Sequence, residues 1–267
     1  MPKVKANGVE LYYELHGPVE GEPLIFNNGV FANTASWAYQ LPAFIKRYRV
    51  LLYDMRGQGQ SEHPKGEYSL ELHAQDLEAL MAALGIAKAH VVGVSYGGEL
   101  GLVLALRYPA RVASLTVAAA VSHSDVLLRA TIERWLIAAR LGDARAFFRS
   151  VYGDVYSEGF IAANSRFIQQ SEDRYGDFDL AAATRLMESF LRLDITAELP
   201  RIAAPTCVIS AELDTLKPAR YGRLMAQAIP RAEFHLIPNS GHAVMLERPQ
   251  EFNTIVLGFL AKQGVRP

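Results

Sequence analysis

Between residues 9 and 15 the apolar positions Val9, Leu11, Tyr13 and Leu15 alternate with polar neighbours, a period of two that predicts a half-exposed strand. Further along, the pattern changes. "PLIFNN", "YRVLLYD", "HVVGV", "SLTVAAA", "TCVIS" and "AEFHLIP" are short continuous apolar runs closed by polar or turn residues. Such runs predict strands covered on both faces. Segments of helical spacing separate them. Over 69–84, Leu70, Ala74, Leu77, Met81 and Leu84 share one face, with Ser69 placed to cap the first turn and Gly85 to end the last. Strands alternating with helices predict an α/β fold class, a mostly parallel sheet flanked by helices.

One region breaks the alternation. From Ser122 to Thr196 no strand-like run occurs, and amphipathic segments predict helices over roughly 126–140, 143–152, 158–170 and 180–192. A structureless stretch of that length does not belong inside a compact domain. The expected organisation is a core of residues 1–121 and 197–267, with 122–196 inserted as a helical cap after the sixth core strand. The aromatics of the insertion (among them Trp135, Phe147, Phe148, Phe178 and Phe190) are expected to form mainly its own core, with a few facing a pocket below.

Composition narrows the function classes. With 27 Lys and Arg against 28 Asp and Glu, the net charge is −1, which gives no electrostatic reason to expect nucleic acid or an anionic membrane as partner. The single cysteine, Cys207, excludes an intrachain disulfide and reads as a buried strand residue. The opening "MPKVKANGVELYYE" lacks the apolar block of a signal peptide, and no window approaches the length of a membrane span. A cytoplasmic protein is expected. No His/Asp/Glu cluster shows ligand spacing, so neither a metal nor a cofactor is called for. Oligomeric state is open, a homo-oligomer included.

The chemistry concentrates at strand ends, where parallel sheets of this kind carry their sites. In "HVVGVSYGGEL" (90–100) an apolar run ends at Ser95 and a helix is expected from about Tyr96 to Arg107. Gly93 and Gly97 lie two residues either side of the serine, as they would where two backbone segments pass very close. Asp214 follows "TCVISAELD", and His242 follows "FHLIPNSGH". Alone, His242 reads as a surface histidine and Asp214 as a turn residue. Together, in the order serine, acid, histidine, they read as a nucleophile, an orienting carboxylate and a general base. Asp125 and Glu212 compete for the acid's place, and Asp214 is favoured. His73 and His90 read as structural or solvated. The backbone N–H of Tyr96 and that of Val30, in "NGVF", are the expected oxyanion donors. "LHGP" (15–18) imitates a His-Gly oxyanion loop but precedes that strand, and reads as a turn.

These motifs resemble the α/β-hydrolase superfamily, in its branch of small esterases, lactonases and cofactor-free perhydrolases. The likeness spans nearly the whole core: "GVELYYELHG", "YRVLLYDMRGQGQS", "GVSYGG", "AELDTLKP" and "NSGHAVMLERPQEF". The resemblance implies a helical cap after the sixth strand, a structural turn at "DMRGQGQS" and a structural role for Trp37. One departure is Asn28-Gly29, where the family usually has His-Gly. The loop "NNGVFANTASW" is also similar to that of acyltransferases making hydroxyalkanoyl ester lipids and to that of some enol-lactonases. The expected activity is hydrolysis of small-to-medium carboxylic esters through an acyl-enzyme on Ser95. Alternatives are an enol-lactone, a thioester or acyl transfer to a hydroxy acid, and, from a different class, a ligand receptor on the same scaffold.

Overall fold

The computed structural model describes residues 2–263. Its strands are β1 (Lys3–Ala6), β2 (Val9–His16), β3 (Glu22–Asn27), β4 (Tyr48–Tyr53), β5 (Ala89–Val94), β6 (Val112–Ala118), β7 (Thr206–Ala211) and β8 (Ala232–Ile237). They form one sheet in the order β1-β2-β4-β3-β5-β6-β7-β8. β2 pairs antiparallel with both β1 and β4, and β3 to β8 are parallel. The short edge strand β1 was not expected from the sequence; with three of its four residues exposed or half-exposed, it carries no apolar signal.

The helices are α1 (Leu41–Phe44), α2 (Leu70–Ala83), α3 (Tyr96–Arg107), α4 (Val126–Arg140), α5 (Ala144–Val155), α6 (Glu158–Ala163), α7 (Ser165–Arg174), α8 (Leu180–Leu191), α9 (Ala219–Ala228), α10 (Val244–Glu247) and α11 (Pro249–Gln263). β5 and β7 are buried on both faces along their whole length and β3, β4 and β6 along most of theirs, which explains their continuous apolar runs, whereas β8 at the edge is mostly half-exposed. Leu24, Phe26, Val92 and Ile209 point to one face and pack with Trp37, Phe44 and Phe252. Ile25, Val91, Leu115 and Val208 point to the other and pack with Leu77, Leu100 and Leu104. Ser69 caps α2 as its sequence indicates, its hydroxyl accepting from Leu72 N at 3.0 Å.

Between β6 and β7 the chain is helical, α4 to α8. The single helix expected over 158–170 is two. Its break is at Asn164, where φ −128° and ψ 37° leave the helical region and the side-chain amide turns back to Phe160 O at 2.9 Å. An asparagine that bonds nearby backbone in this way competes with the helix ladder. The aromatics of this region divide their contacts between a buried cluster, which holds Trp135, Phe147 and Phe190, and open space. Trp135, Phe148, Phe167 and Phe178 line a cavity shared with the sheet's carboxyl edge, and Phe190 lines a recess beside it.

Candidate active site

β3 is flanked by β4 on one side and β5 on the other, so chain direction across the sheet reverses there and leaves a crevice at the carboxyl ends. Ser95 stands at that crevice, between β5 and α3. Its backbone has φ 55° and ψ −124°, a conformation that costs a non-glycine residue on the order of 1–3 kcal/mol and persists only where the surroundings enforce it. They do so here. Ser95 N donates to Ala118 O at 2.8 Å, and Ser95 O accepts from Gly98 N at 2.8 Å and Glu99 N at 3.1 Å. The flanking glycines permit the turn: a Cβ at Gly93 would lie 2.1 Å from Gly97 O, and one at Gly97 would lie 2.2 Å from Asn27 O.

The three residues far apart in sequence meet at this point. Ser95 Oγ is 2.9 Å from His242 Nε2, and His242 Nδ1 is 2.8 Å from Asp214 Oδ2. All three are buried. The other carboxylate oxygen, Asp214 Oδ1, accepts from Leu216 N at 3.0 Å and Lys217 N at 2.7 Å. These two backbone donors fix the orientation of that carboxylate. The His242 loop is held by a second buried acid. Glu247 Oε2 accepts from Gly241 N at 3.0 Å and Ser157 Oγ at 2.6 Å, while Oε1 accepts from Ser157 N at 3.0 Å.

The loop after β3 runs alongside the serine; a Cβ at Gly29 would lie 3.5 Å from Ser95 Cβ. Val30 follows, and Tyr96 N is in the first turn of α3, where a helix leaves its N–H groups free of intrahelical partners. Asn28, the departure noted in the sequence, anchors this loop: its amide donates to Tyr53 O at 2.9 Å and accepts from Trp37 Nε1 at 2.7 Å. Asp54 of "DMRGQGQS" accepts from Thr34 N and Gln60 N, both at 2.8 Å, tying the same loop to its own turn. Leu15 and His16 of "LHGP" are the last residues of β2, and the expected turn begins only at Gly17, at φ 85°.

The competitors lie elsewhere. Asp125 caps α4 through Leu128 N at 2.9 Å and binds Tyr221 and Arg220. Glu212 is exposed and accepts from Asn239 N at 2.9 Å. His73 is bonded to the Tyr96 hydroxyl at 2.8 Å, and His90 to Ser114 Oγ at 2.7 Å. Burial drives the His73 ring from its ordinary 6.5 to about 3, with Arg56 adding to the effect. Cys207 is buried in β7, its thiol pushed up by burial. Its sulfur lies with Glu233 and His235 in a group whose ligand atoms are within 4.8 Å of one another. Spacing could not show that group, and Glu233 is already paired with both His235 and Lys262.

Above Ser95 opens a cavity of about 630 Å³, in the range of sites that enclose a small organic molecule. Ser95, His242, Val30, Phe31 and Phe178 are among the residues that line it. Phe31, at φ 67°, seats its ring edge-on to Phe147 and Phe178 at 5.2 and 5.6 Å.

Residues 22–249 match the alpha/beta hydrolase fold family. The chain belongs to the α/β-hydrolase fold family. RutD of Azorhizobium caulinodans, a protein named for carbamate hydrolysis, is 32% identical over 264 residues, 97% of this chain and 98% of that one. RutD of Stutzerimonas stutzeri is 35% identical over 260 residues, 95% and 97% of the two chains. Among solved structures, MGS-M2, an α/β-hydrolase enzyme from a deep-sea metagenome library, superposes with a TM-score of 0.94 at 29% identity, covering 100% of this chain and 99% of its own. An enol-lactonase from Burkholderia xenovorans gives 0.91 at 28% identity, covering 97% and 100%. Among the described residues no helix of this α/β hydrolase is long and apolar enough to cross a membrane.

Two charged residues at the site of this α/β hydrolase escaped the sequence reading. Lys217 Nζ donates to Glu99 Oε1 at 2.8 Å and to Ser95 Oγ at 3.2 Å. Glu99 Oε1 also accepts from Val121 N at 2.9 Å. Burial pushes the Glu99 carboxyl up, and the neighbouring Lys217 ammonium opposes that push. The available signal was a lone acid in "YGGELGLVLALR", a helix whose other residues up to its last are uncharged. Lys and Glu are almost never fully buried unless paired, so a Glu there called for a buried cation.

Proposed function

We propose that this α/β hydrolase cleaves small-to-medium neutral carboxylic esters through an acyl-enzyme on Ser95. The observation that carries the reading is the continuous relay from Asp214 through His242 to a serine on a strained turn, opening into an organic-sized cavity. His242 Nε2 takes the Ser95 proton as Oγ bonds to the ester carbonyl carbon. Asp214 holds Nδ1 protonated and stabilises the imidazolium. The Val30 and Tyr96 N–H groups receive the developing oxyanion. Collapse of the adduct breaks the carbon–oxygen bond to the alcohol, which leaves with the proton held on His242. A water, deprotonated by the same histidine, then cleaves the acyl-enzyme.

A panel of p-nitrophenyl acetate, butyrate and longer esters, small lactones, carbamate esters and acyl-CoAs tests this, with Ser95→Ala as control. Short and medium esters are expected to turn over best, and Ser95→Ala to lose several powers of ten while remaining folded. Turnover by that variant within about tenfold of wild type refutes Ser95 as nucleophile. The solved enol-lactonase favours a second reading, in which the same relay opens a cyclic enol ester. Preference for lactones over open esters selects it.

A further inference from the structure

The main cavity is not the only space at Ser95. Beside it is a recess of about 20 Å³, whose walls include Val30, Trp135, Leu186, Phe190 and Lys217. A space of that size accepts one water-sized group and no chain. Its polar groups are few. The Tyr96 hydroxyl is committed to His73 and Ser189, and the Trp135 indole N–H to Asp154. Among its side chains, what remains is Ser95 itself and the Lys217 ammonium, beside the Val30 and Tyr96 backbone that holds the oxyanion in the proposed reaction.

An ammonium carries three N–H donors. Lys217 Nζ directs one to Glu99 and one to Ser95 Oγ, and it stands 4.6 Å from the centroid of the Phe190 ring. Acylation removes the second partner, because an ester oxygen whose lone pair is drawn into the carbonyl is a poor acceptor. The acyl-enzyme therefore leaves a buried cation with one hydrogen bond, to Glu99, next to a hole that fits one oxygen atom.

We propose that this recess receives a hydroxyl or keto oxygen borne by the acyl group one or two carbons from the scissile carbonyl, with Lys217 as its donor. The preferred substrates are thus esters of 2- or 3-oxygenated acids. Charge selects a neutral oxygen over a carboxylate. The Lys217 and Glu99 side chains are 4% and 0% exposed and sum to zero charge, so a carboxylate in the recess would be an uncompensated buried anion. The inference rests on the Ser95 acyl-enzyme reading and narrows it to a substrate class. Since the new bond replaces one lost as Oγ reacts, it strengthens after binding and is expected in kcat more than in KM.

Ethyl hexanoate and its 2-hydroxy, 3-hydroxy and 6-hydroxy counterparts test it. The 2- or 3-hydroxy ester is expected to exceed the parent by about ten- to a hundredfold, the worth of a hydrogen bond to a charged group, while the far-end hydroxyl gives no gain. In the double variant Lys217→Met with Glu99→Met, which leaves no lone buried charge, the advantage is expected to fall to about one. Loss of all turnover or of folding in that variant leaves the decision to the positional series on the wild type. Equal rates for the parent and the 2- and 3-hydroxy esters, an equal gain from the 6-hydroxy ester, or an advantage that survives in an active double variant each overturn it. Failure of the underlying reading looks different: Ser95→Ala would then keep wild-type turnover on all four esters.

Discussion

Asp214→Asn replaces one oxygen of the buried carboxylate with an NH2 group, and the structure dictates which. Asp214 Oδ1 accepts from two backbone N–H groups, Leu216 at 3.0 Å and Lys217 at 2.7 Å, and only the amide oxygen of asparagine can keep those bonds. The NH2 is thereby turned toward His242 Nδ1, which stands 2.8 Å from the present Oδ2. Two donors cannot share that contact, so the imidazole shifts its proton to Nε2. That proton then points at Ser95 Oγ, 2.9 Å away, and the ring can no longer accept the serine's. Loss of the correct tautomer with geometry intact costs about four powers of ten in kcat, or roughly 5 kcal/mol of transition-state stabilisation. Asp125→Asn is the matched control. Its carboxylate caps α4 through Leu128 N, and asparagine caps about as well, so turnover is expected within about threefold of wild type. The assay is kcat and KM on p-nitrophenyl butyrate for both variants, with far-ultraviolet circular dichroism to verify folding. Asp214→Asn within about tenfold of wild type, or Asp125→Asn as the more damaged of the two, refutes the assignment of the acid.

Two further outcomes follow from buried groups away from the reacting atoms. His73 is held from 6.5 down to about 3 by burial, so the unfolded chain takes up a proton that the folded chain refuses. Its stability contribution is full above about 6.5 and declines as pH falls toward 3, at about 1.4 kcal/mol per pH unit for one group. Urea midpoints at pH 7 and 5 are expected to differ less in His73→Gln than in wild type, and an unchanged difference refutes the attribution. Glu247→Gln puts an NH2 among three donors, those of Ser157 N, Ser157 Oγ and Gly241 N. A loss of about 1–3 kcal/mol in stability is expected, with kcat lowered as well because Gly241 precedes His242. Wild-type melting and turnover together would show that this carboxylate positions nothing.

Much of this was written in the sequence, because the signals were local. The apolar runs are continuous where strands are covered on both faces, as with Ile25 in one core and Phe26 in the other. The glycines around Ser95 report a backbone approach that no side chain tolerates. Asp214 and His242 were legible because each follows a strand whose end is fixed by the sheet. What was illegible depended on meetings between distant residues. Lys217 and Glu99 are 118 positions apart, and neither lies in a spacing that predicts the other. Asn164 breaks a helix through its own side chain, although the apolar face continues on both sides of it. The aromatics of 122–196 read as mainly a core of their own with a few facing a pocket, and which ones do so was illegible, because helical periodicity shows which residues leave the solvent but not whether they meet each other or a cavity.

The helices between β6 and β7 are joined to the Ser95 and His242 loops more closely than a cover over a finished site would be. Phe31, one residue beyond the proposed oxyanion donor Val30, sits at φ 67° with its ring against Phe147 and Phe178. That conformation costs a bulky residue about 1–3 kcal/mol, which the aromatic contacts offset; pairs of this geometry contribute about 0.5–1.5 kcal/mol each beyond their burial. On the opposite side Glu247 binds Ser157, at the head of α6, to Gly241 of the histidine loop, and Ala243 N donates to Val155 O at 3.1 Å, the last residue of α5. The loop after β3 and the loop after β8 are therefore both set by contacts with the helices that shape the cavity. A change in those helices large enough to reshape the cavity is therefore expected also to move the backbone N–H of Val30 or the imidazole of His242. Substrate size and rate are thus coupled by packing in this fold, and side chains that line the cavity without touching Phe31, Gly241 or Ala243 are where selectivity can change at least cost to turnover.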